Sequence, residues 1–144
     1  MSTSTKLSAS IKALCYLAES FPTPKSSAEI SKSIGINASK IRMLLSQLSA
    51  VNIVSSIKGK KGGFILNKNP IEINMQEVYC GIENRKAFHL DVNKVSGKNF
   101  KQSKTFYSYF INLFSEIQVD IEDKMRNISL NSLMEKINIK SNYK

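Results

Sequence analysis

The sequence predicts a mainly α fold with one small β-hairpin: a helix-turn-helix, a wing, and then a long helix. Three observations predict it. Apolar residues recur at three- and four-residue spacing over 6–21, 41–51 and 104–126, the signature of helices with one apolar face. Two short candidate helices meet at Gly35, where a tight turn must join them. Two extended stretches, 53–58 and 64–67, flank the glycine- and lysine-rich run Gly59-Lys60-Lys61-Gly62-Gly63.

The first helix runs from Lys6 to Phe21, with Leu7, Ile11, Leu14, Leu17 or Ala18, and Phe21 on its stripe; Pro22 and Pro24 stop it. Cys15 lies four residues after Ile11 on that stripe and reads as a core thiol. Ser26 or Ser27 caps the second helix, Glu29 sits in its first turn, and Ala28, Ile30 and Ile34 are expected to point inward. Gly35 is placed as a C-cap glycine. Asn37 caps the third helix, whose stripe is Ile41, Leu44, Leu45, Leu48 and Val51.

The opposite face of the third helix carries Ser39, Lys40, Arg42, Met43, Ser46 and Gln47, and no acid. A solvated surface helix usually mixes Glu with Lys. A helix that must approach phosphates and offer donors to base edges needs cations and hydrogen-bonding groups without acids. The hairpin directly after it is a wing, and Lys58, Lys60 and Lys61 around Gly59 make its tip basic. That tip is no nucleotide P-loop: a strand follows it, and no Gly-Lys-Ser/Thr occurs.

Beyond the wing, Asn74 caps a short helix with Met75, Val78, Tyr79 and Ile82, expected to end near Gly81. Residues 83–103 are polar and without period, a long loop that is either functional or flexible. It holds the only histidine, His89, solvated in one reading and a ligand or sensor in the other. From Lys104 to about Arg126, Phe106, Phe110, Leu113, Ile117 and Ile121 make one stripe, widened by Tyr107 and Phe114 and extended to Met125. A helix of about 35 Å is too long for a domain this small to bury, so the stripe is expected to pack on a second copy. Ser129 caps a last helix, Leu130 to Ile137, and the lysine-rich tail 140–144 is expected to fray.

Charge sharpens this. The chain of 144 residues carries +10. Residues 1–70 contain ten Lys and Arg against two acids, Glu19 and Glu29, whereas 71–144 are nearly balanced. A general lysine bias would raise both halves alike, so the N-terminal half is expected to meet a polyanion. No apolar run approaches a membrane span, and the N-terminus lacks the apolar core of a signal peptide; the expectation is a cytoplasmic protein that binds no membrane. Two cysteines are too few for a disulfide framework or a four-cysteine metal site. No Ser-His-Asp or paired-carboxylate arrangement suggests an enzyme. The expected organisation is a DNA-binding unit over 1–70, a short helix and loop over 71–103 as a candidate sensor region, and a dimerisation unit over 104–144.

At the wing the pattern becomes specific. Val54-Ser55-Ser56-Ile57-Lys58-Gly59-Lys60-Lys61-Gly62-Gly63-Phe64-Ile65-Leu66 resembles the wing signature of the Rrf family of bacterial winged helix-turn-helix transcription regulators. Ala13-Leu14-Cys15-Tyr16-Leu17-Ala18, Ile71 to Val78 and Ile128 to Leu133 extend the resemblance to about residues 6–138. It implies that Ser39 and Lys58 touch DNA. Where the family often places an acid and an amide after that serine, this chain has Arg42 and Met43. Iron–sulfur members carry three cysteines in the loop before the long helix; 83–103 has none, so no cluster and no metal are expected.

The resulting expectation is a homodimeric regulator, a repressor in the main reading, bound to palindromic double-stranded DNA. Ser39, Lys40, Arg42, Met43, Gln47, Lys58, Gly59, Lys60 and Lys61 form the DNA face. Arg42 is expected on a guanine edge and Met43 on a thymine methyl. The signal is a small molecule, a partner protein, or thiol oxidation at Cys80 or Cys15, with Arg85 and Lys86 near the first. The competing reading is a winged-helix protein–protein adaptor that never reads DNA; its mark would be a mixed or acidic third-helix face.

Overall fold

The computed structural model describes residues 1–83 and 103–144. Its elements run α1 (Thr3–Ser20), α2 (Ser27–Ile34), α3 (Ala38–Ala50), β1 (Val54–Ile57), β2 (Gly63–Leu66), a single 3₁₀ turn (Pro70–Glu72), α4 (Met75–Ile82), α5 (Ser103–Arg126) and α6 (Leu130–Lys136). His89, Arg85 and Lys86 lie outside the described residues, as does nearly all of the loop they belong to.

Short polar side chains set the helix starts. Ser26, Asn37, Asn74 and Ser129 each accept a backbone N–H of the first turn, from Glu29, Ser39, Glu77 and Ser132 respectively. Helix α1 begins three residues earlier than its apolar period suggests, because Ser2 accepts the Thr5 N–H. Gly35 closes α2 in the left-handed region at φ 72°, and Asn52 takes φ 64° where the chain turns from α3 into the wing.

The core gathers Leu14, Leu17, Ile30, Ile41, Leu44, Leu45, Leu48, Ile53, Val78, Ile82, Leu130 and Met134. Packing therefore does not break at residue 70: α4 and α6 complete the same core as α1–α3. The start of α6 is stitched to the start of α4, with Leu130 N–H donating to the Ile73 carbonyl at 2.7 Å and Met75 N–H to that of Ile128 at 2.9 Å.

Two packing expectations are corrected. Ala28 is exposed and Ser27 takes the inward position, a one-residue rotation that a two-turn helix tolerates. Val51 is 46% exposed because α3 ends before the stripe reaches it. Helix α4 ends at Ile82, one residue past Gly81, as expected; a Cβ on Gly81 would come within 2.9 Å of Val51 Cγ2 and 3.3 Å of Leu48 Cδ2, so α4 lies close to α3 there.

The C-terminal tail departs from the expected fraying. Asn142 donates from its backbone N to the Ala18 carbonyl at 2.9 Å and from its side chain to the Glu19 carbonyl at 2.6 Å. The Tyr143 ring lies 4.4 Å from that of Phe21, and Ile139 packs on the core. Two apolar side chains among the lysines thus cover the end of α1.

Helix α5 differs from the rest. At 1.5 Å per residue its 24 residues span about 36 Å. It packs on α4 and sends Met125 to the core, yet none of its described side chains is fully buried. Phe106 is 50% exposed, and Phe110, Leu113, Ile117 and Ile121 are half-buried. Phe106, Phe110 and Phe114 stack along one face, with ring centroids 4.3 and 5.7 Å apart.

Candidate nucleic-acid interface

Two capped helices build the helix-turn-helix. At the start of α2, Ser26 accepts the Glu29 N–H while the Glu29 carboxylate accepts the Ser26 N–H at 2.8 Å, a reciprocal capping box. The backbone N–H and hydroxyl of Ser26 hold the Glu29 carboxyl below its ordinary range. At the start of α3, Asn37 Oδ1 takes the Ser39 N–H at 2.8 Å. Ile41, Leu44, Leu45 and Leu48 bury one face of α3. Ser39, Lys40, Arg42, Met43 and Ser46 are left exposed on the other, and Gln47 is half-buried.

The Arg42 guanidinium is not loose. Its Nη2 donates to Ser27 Oγ of α2 at 3.1 Å, and Ser27 is 7% exposed. Sequence reading missed this hydrogen bond. Its signal lay in the second of two adjacent serines: Ser26 alone serves the cap, which leaves the Ser27 hydroxyl for another partner.

The wing is an antiparallel pair with Val54 opposite Leu66 and Ile57 opposite Gly63. Glycine is required at two places. A Cβ on Gly62 would meet the Ile57 carbonyl oxygen at 2.1 Å, and one on Gly63, at φ 146°, would meet the Lys25 carbonyl at 2.4 Å. That second approach exists because the wing is pinned to the chain before α2. Lys25 N–H donates to the Phe64 carbonyl at 3.0 Å, and Phe64 N–H to that of Lys25 at 2.8 Å. Lys58, Gly59, Lys60 and Lys61 are exposed at the tip.

Two lysines of the N-terminal half are ion-paired, Lys6 with Glu83 at 2.7 Å and Lys68 with Glu77 at 2.8 Å. Lys40, Lys58, Lys60 and Lys61 make no ion pair with a described residue. Among the described residues, α3 and the wing tip thus present exposed cations and hydrogen-bond donors with no acid of their own.

A family profile described as Rrf2, iron-dependent transcriptional regulator, matches residues 3–136. The chain belongs to the Rrf2 family. It is 29% identical over 112 residues to the helix-turn-helix-type transcriptional regulator IscR of Vibrio vulnificus, a match over 78% of this chain and 64% of that relative. Its fold is similar to that of IscR from T. potens (TM-score 0.67, 22% identity, 95% of this chain and 88% of that one). It is similar as well to CymR, the global cysteine regulator of Bacillus subtilis (TM-score 0.69, 20% identity, 94% and 98%). This Rrf2 chain is therefore a DNA-binding transcription regulator of winged-helix fold, in a family of regulators rather than enzymes. No helix among the described residues is long and apolar enough to cross a membrane.

The two cysteines stand in opposite settings. Cys15 is buried in α1, and burial, helped by the nearby Glu19 charge, pushes its thiol up to about 11. That is the reverse of a sensing thiol, which must ionise readily and be reached. Cys80 is exposed on α4, where the Gln76 amide donates to its sulfur at 3.3 Å. A mostly apolar cleft of about 440 Å³ opens between α1, the last residue of α2 and α6, lined by Ile11, Cys15, Ile34, Leu133 and Ile139, with Lys12 among its charged residues.

Proposed function

We propose that this Rrf2 protein is a homodimeric repressor that reads a palindromic operator with α3 and holds it with the wing. The observation that carries this is the acid-free exposed surface of Ser39, Lys40, Arg42, Met43, Lys58, Lys60 and Lys61. In this reading Arg42 and Met43 meet base edges, while Lys40 and the three wing lysines hold phosphates. The half-exposed stripe of α5 supports dimerisation. Two copies packed along it would present two α3 helices to successive major grooves about one turn apart.

Salt dependence tests the division of labour. For a protein with both Lys60→Ala and Lys61→Ala, the slope of log affinity against log salt is expected to flatten by about 0.9 for each phosphate that is no longer neutralised. The preferred sequence should stay the same. Fluorescence anisotropy across a salt series checks this; an unchanged slope rules out a phosphate role for the tip.

We further propose that the protein works without an iron–sulfur cluster. Such clusters are held mainly by cysteine thiolates. This chain has two cysteines, Cys15 buried in α1 and Cys80 exposed on α4, fewer than the four ligands a cluster takes. Where the signal is an oxidant, Cys80 is the responding thiol. Peroxide would take its thiolate to sulfenic acid and itself be reduced to water. Cys80→Ser is expected to abolish any peroxide-dependent release of DNA, and Cys15→Ala to leave it intact. Normal release by the Cys80→Ser protein in a gel-shift titration would exclude thiol sensing at this site.

A further inference from the structure

We infer that Ser27 is a positioning residue that sets Arg42 for base reading, an inference that rests on the proposal that α3 enters the major groove. An exposed arginine on a helix ordinarily samples many rotamers and must be ordered when it binds. Here the Ser27 hydroxyl, buried in the first turn of α2, accepts from Nη2 of Arg42 at 3.1 Å and ties the guanidinium to the body of the domain. One of five N–H groups is used; the rest remain for the two acceptors, O6 and N7, that guanine presents in the major groove.

The local chemistry keeps this hydrogen bond clean. The one acid of α2, Glu29, gives its Oε2 to the Ser26 N–H and forms no ion pair with Arg42. The Ser26 hydroxyl is committed to the Glu29 N–H, so capping makes no demand on Ser27. A neutral acceptor also orients the cation without cancelling its charge, which a carboxylate in the same place would do. Ser27 therefore supplies geometry while leaving the full charge of Arg42 to the DNA. Each of the two adjacent serines has one role, the first for the helix and the second for the reader.

The test is a double-mutant cycle on the full chain. Affinities of the wild type, Ser27→Ala, Arg42→Ala and the double variant are measured by anisotropy on the preferred duplex. The same proteins are measured on duplexes changed one base pair at a time, with melting curves confirming that each is folded. Arg42→Ala identifies the base pair it reads. Ser27→Ala is expected to lower discrimination at that same base pair by about 3- to 10-fold, the worth of one hydrogen bond. The salt slope should not change, and Ser27→Ala should have no effect once Arg42 is alanine. Two results overturn the inference: discrimination unaltered by Ser27→Ala, or an equal loss in the Arg42→Ala background, which would make Ser27 merely structural. A wild type with no preferred sequence removes base reading by Arg42, and this inference with it; a wild type with a preferred sequence but no coupling removes the inference alone.

Discussion

A protein carrying Leu113→Glu and Ile117→Glu is expected to sediment as a folded monomer and to lose at least about 100-fold in affinity for a palindrome. Both side chains lie on the stripe of α5, and both are half-buried within one protomer rather than sealed in its core. Their charge therefore leaves α1–α4 packed and acts where a second copy is proposed to dock. Two half-sites held by one dimer gain about 10²- to 10⁴-fold over either alone by effective concentration. That gain disappears when the halves separate, while affinity for a single half-site should be nearly unchanged. Analytical ultracentrifugation and binding to whole and half sites measure the two effects independently. A variant that stays dimeric places the interface elsewhere.

The second large effect is at the root of the wing. Gly63→Ala is expected to destabilise the protein by about 2–4 kcal/mol, through positive-φ strain and a clash that nothing nearby can relieve. At φ 146° the new Cβ would sit 2.4 Å from the Lys25 carbonyl and 2.7 Å from the Ser26 nitrogen, all backbone atoms. Relief requires parting the Lys25–Phe64 bridge, which would swing the tip lysines away from α3 and disturb the start of α2. Gly59→Ala is the control: its φ of 111° is strained too, but a Cβ there meets nothing within 4 Å, so about 1 kcal/mol is expected. Thermal melting should rank Gly63→Ala well below Gly59→Ala, and equal midpoints would contradict the account of the bridge.

What was legible in the sequence was mostly local. Ser26, Gly35, Asn37, Asn74 and Ser129 announce helix ends through hydrogen bonds or backbone angles made within four residues of themselves, so their chemistry is visible in a short window. The stripe of α3 is equally local, and so is the need for Gly62 beside the Ile57 carbonyl, whereas that for Gly63 beside Lys25 is not. The features missed depend on pairs far apart in the chain. Nothing around Lys25 announces its bridge to Phe64, and nothing around Asn142 announces that it will bond to Ala18 and Glu19. In the tail, Ile139 and Tyr143 were the signal, outweighed by the lysines between and around them. Ser27 and Ala28 were confused because two turns of helix give too few residues to fix the buried face.

The same distinction applies to the DNA face. That α3 and the wing tip should be cationic and free of acids follows from residue types alone. That Arg42 is held by Ser27, and that Lys6 and Lys68 are taken up by Glu83 and Glu77 while the tip lysines are not, follows only from the fold.

This surface is proposed to read sequence as a dimer. Selection of bound duplexes from a random DNA pool at physiological salt tests it most directly, using the full chain in reduced and oxidised forms. One palindrome whose half-sites lie about one helical turn apart is expected to be enriched. Loss of that enrichment on oxidation would add Cys80 as the switch. A pool that stays random in both forms, although the protein binds DNA in a salt-dependent way, would contradict sequence reading and leave only phosphate attraction to α3 and the wing.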